Sequence, residues 1–195
     1  MGKERLTRVL DVAVVVAILW MLWDNVSIPY ERTLAGFWSI HNEIFRTGAS
    51  IFWLAVLWLG GYRAWDRAER ASRWTVLASL GLLLGILTTP YFTRLIIRSY
   101  KARLSQIVYG GCMIWTALCS FLLFLSLGRA NADVPECVDA AASHRRALIG
   151  ALCILAAGLT LSVVRFRQAM WYAVAVAALY LLIMWLVQDR GENAA

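Results

Sequence analysis

The side chains of this sequence that could bind a metal or carry redox chemistry are two histidines and four cysteines. They are His41, His144, Cys112, Cys119, Cys137 and Cys153. Zinc and haem sites need ligands at close, characteristic spacings, and no pair in this set has such a spacing. We therefore interpret the cysteines as reduced packing residues and expect no cofactor, no metal site and no enzymatic activity.

The composition indicates which structure must hold these residues. Of 195 residues, 61% are hydrophobic and 16% are charged, and ten are Trp. A soluble domain has an apolar share of roughly half, with about a quarter of its residues charged. The sequence therefore predicts an all-α integral membrane protein. Its net charge of +7 is spread in short clusters between apolar runs, which favours anchoring to anionic headgroups over binding of nucleic acid.

Six apolar runs have the length that a membrane-spanning helix needs. They cover about 9–27, 47–65, 74–97, 104–127, 147–164 and 169–187. The whole chain, 1–195, is thus expected to be a single six-helix transmembrane domain with both termini on one side. Lys and Arg are more numerous on the side of the termini, which predicts cytoplasmic termini in a cell (inner) membrane protein.

The first helix has the least ambiguous pattern. It runs from Arg5 to about Ser27, and between Val12 and Trp23 it carries no charged side chain. A helix that is apolar all round must lie in lipid or among other helices. Asp11 stands one turn inside the apolar segment and needs a partner, for which Arg8 at i−3 is a candidate.

The start of this helix resembles a known signature. Arg5-x-x-x-Val9-Leu10-Asp11 resembles the Arg-x-x-x-Phe-Ser-Asp motif that opens the first helix of the transmembrane protein 175 family of lysosomal and prokaryotic potassium channels. Further similar segments follow in order, so that the resemblance covers about residues 4–188. These segments are Ser50 to Trp58, Pro90-Tyr91-Phe92-Thr93, Tyr109 after Arg103-Leu104, and Leu161-Ser162-Val163.

The resemblance implies a homotetramer of six-helix subunits in which helix one lines a central pore that passively conducts potassium or another monovalent cation. Carried over from Asp11, the narrow apolar ring of the family falls on Val16, its threonine layer on Leu19 and a further apolar layer on Trp23. These three positions are related as i, i+3 and i+7. Helical geometry by itself therefore places them on one face.

Four residues of the family pattern differ in this chain. The Phe-Ser of the signature is Val9-Leu10, the threonine of the pore layer is Leu19, and the histidine of a Trp-x-x-His motif in helix two is Gly61. Rings of Val, Leu and Trp can gate by dewetting but cannot replace the hydration shell of an ion. An alternative function is therefore a non-conducting or anion-tolerant relative that acts as a membrane scaffold or regulatory subunit.

Two groups of charged residues allow two interpretations each. Asp11 is either an interfacial acid paired with Arg5 or Arg8, which would hold the helix bundle together, or a gating element of the signature. Arg94, Arg98 and Lys101 either form a basic ring at the outer mouth of the pore or anchor the chain to headgroups. The expected partners of the chain are its own copies and the lipid bilayer.

Overall fold

The computed structural model describes residues 3–25, 40–99, 102–166 and 168–192, and this part of the chain is almost entirely helical. Its helices are α1 (Lys3–Asn25), α2 (His41–Arg67), α3 (Arg73–Arg98), α4 (Arg103–Ala130), α5 (Pro135–Val164) and α6 (Ala169–Glu192). Each of the six is long and apolar enough to cross a membrane. The all-α fold with six membrane-spanning helices is thereby confirmed for the described residues.

The helices extend beyond the apolar runs that reveal them. The clearest case is α5, which begins at Pro135 although its apolar run begins near 147. Proline suits the first turn of a helix, because its missing N–H has no acceptor there in any case. Glu136 in the same turn lies 3.7 Å from Arg67 at the end of α2. The polar segment before residue 147 is thus mainly a helix that continues past the apolar layer.

Helix α2 lies at the centre of the bundle and contacts all five other helices. The consecutive pairs α3–α4, α4–α5 and α5–α6 pack side by side, whereas α1 contacts α2 and α3.

Buried hydrogen bonds join α2 to α4. The Ser50 and Tyr109 hydroxyls are 2.8 Å apart, and the Trp53 indole donates to Thr116 Oγ1 at 3.0 Å. In a bundle that lipid surrounds, such bonds hold helices in register where apolar contacts alone do not.

The short connection between α2 and α3 is fixed by one amide. Asn131, just after α4, accepts from the backbone N–H groups of Glu69 and Arg70 at 2.8 Å each. Its Nδ2 donates to the carbonyls of Arg70 and Leu127 at 2.9 Å each. Ser72 then caps α3 through a reciprocal capping box with Thr75. The start of α3 is thus tied to the end of α4.

Pro90 does not end its helix, since α3 continues to Arg98. The two residues before the proline are threonines that donate to carbonyls one turn back. Thr88 Oγ1 lies 2.9 Å from the Leu84 carbonyl, and Thr89 Oγ1 lies 2.8 Å from that of Gly85. The carbonyl that the missing N–H of Pro90 leaves free is that of Ile86, and the helix continues past this missing bond. Helix α3 is thus 26 residues long and packs against α1.

Candidate ion pathway along the first helix

Helix α1 has one face that packs inside the subunit. Its buried side chains recur at helical spacing and are Leu6, Leu10, Ala13, Val14, Ala17 and Met21. They face α3 and α2, the two helices that α1 contacts. Alanines at the middle of this face let the backbones approach closely, as small residues do between membrane helices. This packed face sets the position of α1 in the subunit.

The opposite face of α1 is uncovered, and it carries the residues that the sequence predicts to line a pore. Val16, Leu19 and Trp23 are exposed, Trp23 to 90%. Val12, one turn before Val16, is exposed to 62% and extends the same line. We call Val12, Val16, Leu19 and Trp23 the exposed stripe. The family resemblance does not include Val12, although its i−4 spacing from Val16 predicts that the two side chains share a face.

The charged residues at the start of α1 are arranged differently from the pairing that the sequence suggests. Arg8 lies 3.8 Å from Glu4, one turn earlier, and both side chains are largely exposed. Asp11 is half-buried and Arg5 is exposed. Among the described residues neither Asp11 nor Arg5 forms an ion pair. The expected pairing of Asp11 with Arg5 or Arg8 is therefore absent from the subunit.

The other end of α1 carries an ion pair that sequence reasoning missed. Asp24 and Arg94 of α3 form a short charge-assisted hydrogen bond, with 26% and 38% of their side chains exposed. Asp24 stands three residues after Met21, on the side of α1 that faces α3. This pair compensates the charge of Arg94, whereas Arg98 is exposed. Lys101, the third residue of the predicted outer-mouth set, lies outside the described residues.

Where the family pattern has a histidine in helix two, this chain has Gly61, which packs closely against a neighbouring helix. A Cβ built on Gly61 would collide with the ring of Phe124 in α4. One built on Gly60 would lie 2.6 Å from the imidazole of His144 in α5. The Phe124 and His144 rings meet edge to face, with centroids 4.7 Å apart, and both are buried. An imidazole is thus present beside this turn of α2, but α5 supplies it.

The Asp24–Arg94 pair predicts a measurable coupling between α1 and α3. Asp24→Asn and Arg94→Gln should each lower stability, and the double variant should lose less than their sum. We expect a coupling energy of about 1 kcal/mol, at the upper end for a partly exposed pair. The measurement is a double-mutant cycle of detergent-induced unfolding followed by circular dichroism.

The exposed Glu4–Arg8 pair provides the control for this cycle. Glu4→Gln and Arg8→Gln should show a coupling near zero, because solvent screens that pair. Equal coupling energies for the two pairs would contradict a specific role for Asp24 and Arg94.

The packing at Gly61 predicts that a Gly→Ala substitution lowers the stability of the subunit there but not at Gly111. Gly61→Ala should destabilise the subunit by about 1–3 kcal/mol, because Phe124 is held by its contact with His144 and cannot make room cheaply. Gly111→Ala, where an added Cβ meets nothing within 4 Å, should be neutral or stabilise by up to about 1 kcal/mol. Thermal unfolding of both variants in detergent measures the difference, and equal midpoints would refute the close contact.

Comparison with known proteins finds a structural relative. No family model matches the sequence, and no curated protein matches it. A solved structure described as that of a lysosomal potassium-selective channel TMEM175 homolog, from Chamaesiphon minutus, superposes with a TM-score of 0.69 at 16% sequence identity. The alignment covers 94% of this chain and 97% of that one. The resemblance noted in the sequence is thus confirmed at the level of structure, and this chain has the fold of the TMEM175 channel homologue.

Proposed function

We propose that this chain is the subunit of a homotetrameric ion channel in which four copies of α1 surround a central pore. The observation that carries the proposal is the exposed stripe, a line of large apolar side chains opposite the packed face of α1. It lies in a fold shared with a potassium-selective channel homolog along nearly the full length of both chains. The pore would be built by symmetry, because one subunit contributes a single lining helix.

The position of α1 in the subunit supports this assignment. Helix α2 contacts each of the five other helices. Helix α1 contacts α2 and α3 and therefore lies at the edge of the bundle. Its outer face is therefore available to copies of itself. In a ring of four, two different patches of each subunit contact the neighbouring copies, and the same face of every copy borders the shared axis. The side chains of the exposed stripe would then form successive apolar rings at Val12, Val16, Leu19 and Trp23.

The chemistry of the rings indicates how such a pore would work. Between Val12 and Trp23 no side chain of α1 has an oxygen atom, so the wall offers an ion no replacement for its water. A narrow pore of this kind closes by dewetting and conducts when it widens enough to stay hydrated. The proposed activity is passive conduction of a monovalent cation, with potassium the first candidate from the structural relative. It requires neither a chemical step nor a cofactor.

One positive charge at this end of the helix bundle is neutralised within the subunit. Arg94 would repel cations if its charge stood alone in a fourfold ring, but Asp24 compensates it, whereas Arg98 stays exposed. The larger number of Lys and Arg on the side of the termini favours an orientation with this end outside and both termini in the cytoplasm. We accordingly propose a multi-pass protein of the cell membrane.

A second candidate function is a non-conducting or anion-tolerant scaffold with the same assembly. The absence of any side-chain oxygen along the exposed stripe is the observation that favours it. In such a protein the Trp23 rings would pack across the axis and leave no continuous path. The two candidates therefore share the tetramer and differ only in whether ions cross it.

Reconstitution of the purified protein into planar bilayers tests the channel directly. With potassium, sodium or choline chloride gradients, a cation channel gives single-channel events whose reversal potential follows the cation. Events that follow chloride would support the anion-tolerant alternative. No events in any salt, together with a tetrameric native mass, would support the scaffold, and a monomeric native mass would refute both.

The rings also predict a difference between two adjacent valines. Val16 lies on the exposed stripe, whereas Val15, which is also exposed, is turned by about 100° around the helix axis from Val16. Val16→Thr has nearly unchanged shape and adds a hydroxyl to the pore wall, so it should lower the dewetting barrier and raise the open probability. Val15→Thr is the matched control and should leave conduction unchanged. Equal effects of the two variants on single-channel recordings would contradict a pore lined by the exposed stripe.

A further inference from the structure

A groove of about 810 Å³ opens on the lipid-facing surface between α5 and α6. Its floor is the contact of Gly158 with Ala173, which is so close that a Cβ on the glycine would collide with the alanine. Small side chains therefore keep this surface concave. The walls are larger exposed side chains, among them Leu161 and Val176. The groove lies away from α1, which contacts neither α5 nor α6.

The groove has the depth of one leaflet. It runs from Arg165, just after the end of α5, down to Ile154. At 1.5 Å per residue this stretch spans about 16 Å. That length is about half of the roughly 30 Å hydrocarbon core of a bilayer. An acyl chain of one leaflet that enters at the α5–α6 turn would therefore be in contact with the groove along its length.

The mouth of the groove carries the side chains that a phospholipid headgroup requires. Arg165, Phe166, Gln168 and Tyr172 line this end, and all are at least partly exposed. The turn that presents them is held by the N–H groups of Arg165 and Phe166, which both donate to the Leu161 carbonyl at 3.0 and 2.9 Å. Arginine matches the geometry of a phosphate, and aromatic rings favour the headgroup level. A cationic mouth above an apolar groove is complementary to an anionic lipid.

We propose that the α5–α6 groove binds one anionic phospholipid, with an acyl chain against Gly158 and Ala173 and the phosphate at Arg165. This site is separate from the proposed pore, because it is formed by α5 and α6, neither of which contacts α1. Binding there is measured without conduction, so a failure of either proposal leaves the other standing.

Two adjacent alanines of α5 allow a matched test. Ala156 and Ala157 are both exposed, and only Ala157 lines the groove. Delipidated protein would be titrated with phosphatidylglycerol or phosphatidylcholine and its bound lipids counted by native mass spectrometry. We expect the wild type and Ala156→Phe to prefer phosphatidylglycerol, and Ala157→Phe, whose ring fills the groove, to lose bound lipid of both kinds.

The charged mouth is tested by Arg165→Gln, with Arg103→Gln as control at an exposed arginine on the same side of the bundle. Arg165→Gln should weaken phosphatidylglycerol binding by about fivefold and phosphatidylcholine binding less, because the choline ammonium already offsets the charge of its phosphate. This surface variant decides the question even if Ala157→Phe does not fold. Equal retention of the two lipids by the wild type, unchanged binding in both variants, or a groove covered by a second copy of the chain would overturn the proposal.

Discussion

Lipid gives a polar group no partner, and this constraint explains how the subunit is built. Hydrogen bonds inside the apolar layer must be made within the protein. Some of them join α2 to α4, as with the Ser50 and Tyr109 hydroxyls and the Trp53 indole on Thr116. Others join α3 to α4, as with the Trp115 indole that donates to the Gly81 carbonyl at 2.9 Å. A central helix joined to others by polar contacts leaves the outer faces of the bundle free to be apolar. The exposed stripe on α1 and the α5–α6 groove are two such faces with different shapes.

The exposed stripe and the α5–α6 groove are both apolar, but they differ in shape. On α1 the small residues, Ala13 and Ala17, lie on the packed face among larger buried side chains such as Met21, whereas the exposed stripe consists of large side chains alone. A convex line of Val, Leu and Trp fits a narrow path between symmetry-related helices better than it fits a lipid chain. In the α5–α6 pair the small residues, Gly158 and Ala173, lie at the bottom of a concave surface. That surface has room for a chain and cannot itself narrow a pore.

The sequence predicts what depends on one helix at a time. Apolar run length is enough to predict the number of helices, and helical spacing is enough to place Val16, Leu19 and Trp23 on one face.

Prediction from the sequence fails where two distant segments meet. Nothing in the neighbourhood of Asp24 indicates that Arg94 is its partner, whereas Arg8 stands near Asp11 in the sequence and still pairs with Glu4. The imidazole of His144 beside Gly60 is equally invisible, because the family pattern directs attention to helix two. The early start of α5 was missed because apolarity marks the lipid boundary and not the end of a helix.

The two ends of α3 explain how the position of α1 is fixed. At one end, Asn131 holds the α2–α3 connection against the end of α4, so α3 begins at a defined place. At the other end, Arg94 binds Asp24 of α1, and between them the alanines of α1 set how closely the two helices approach. In a pore lined by α1, the width at Trp23 would depend most directly on the ion pair, because Trp23 and Asp24 are adjacent. The width at Val12 would depend mainly on how Leu10 and Ala13 pack, since Asp11 beside Val12 forms no ion pair among the described residues. The stripe therefore lies next to an ion pair at its Trp23 end and next to a packed apolar face at its Val12 end.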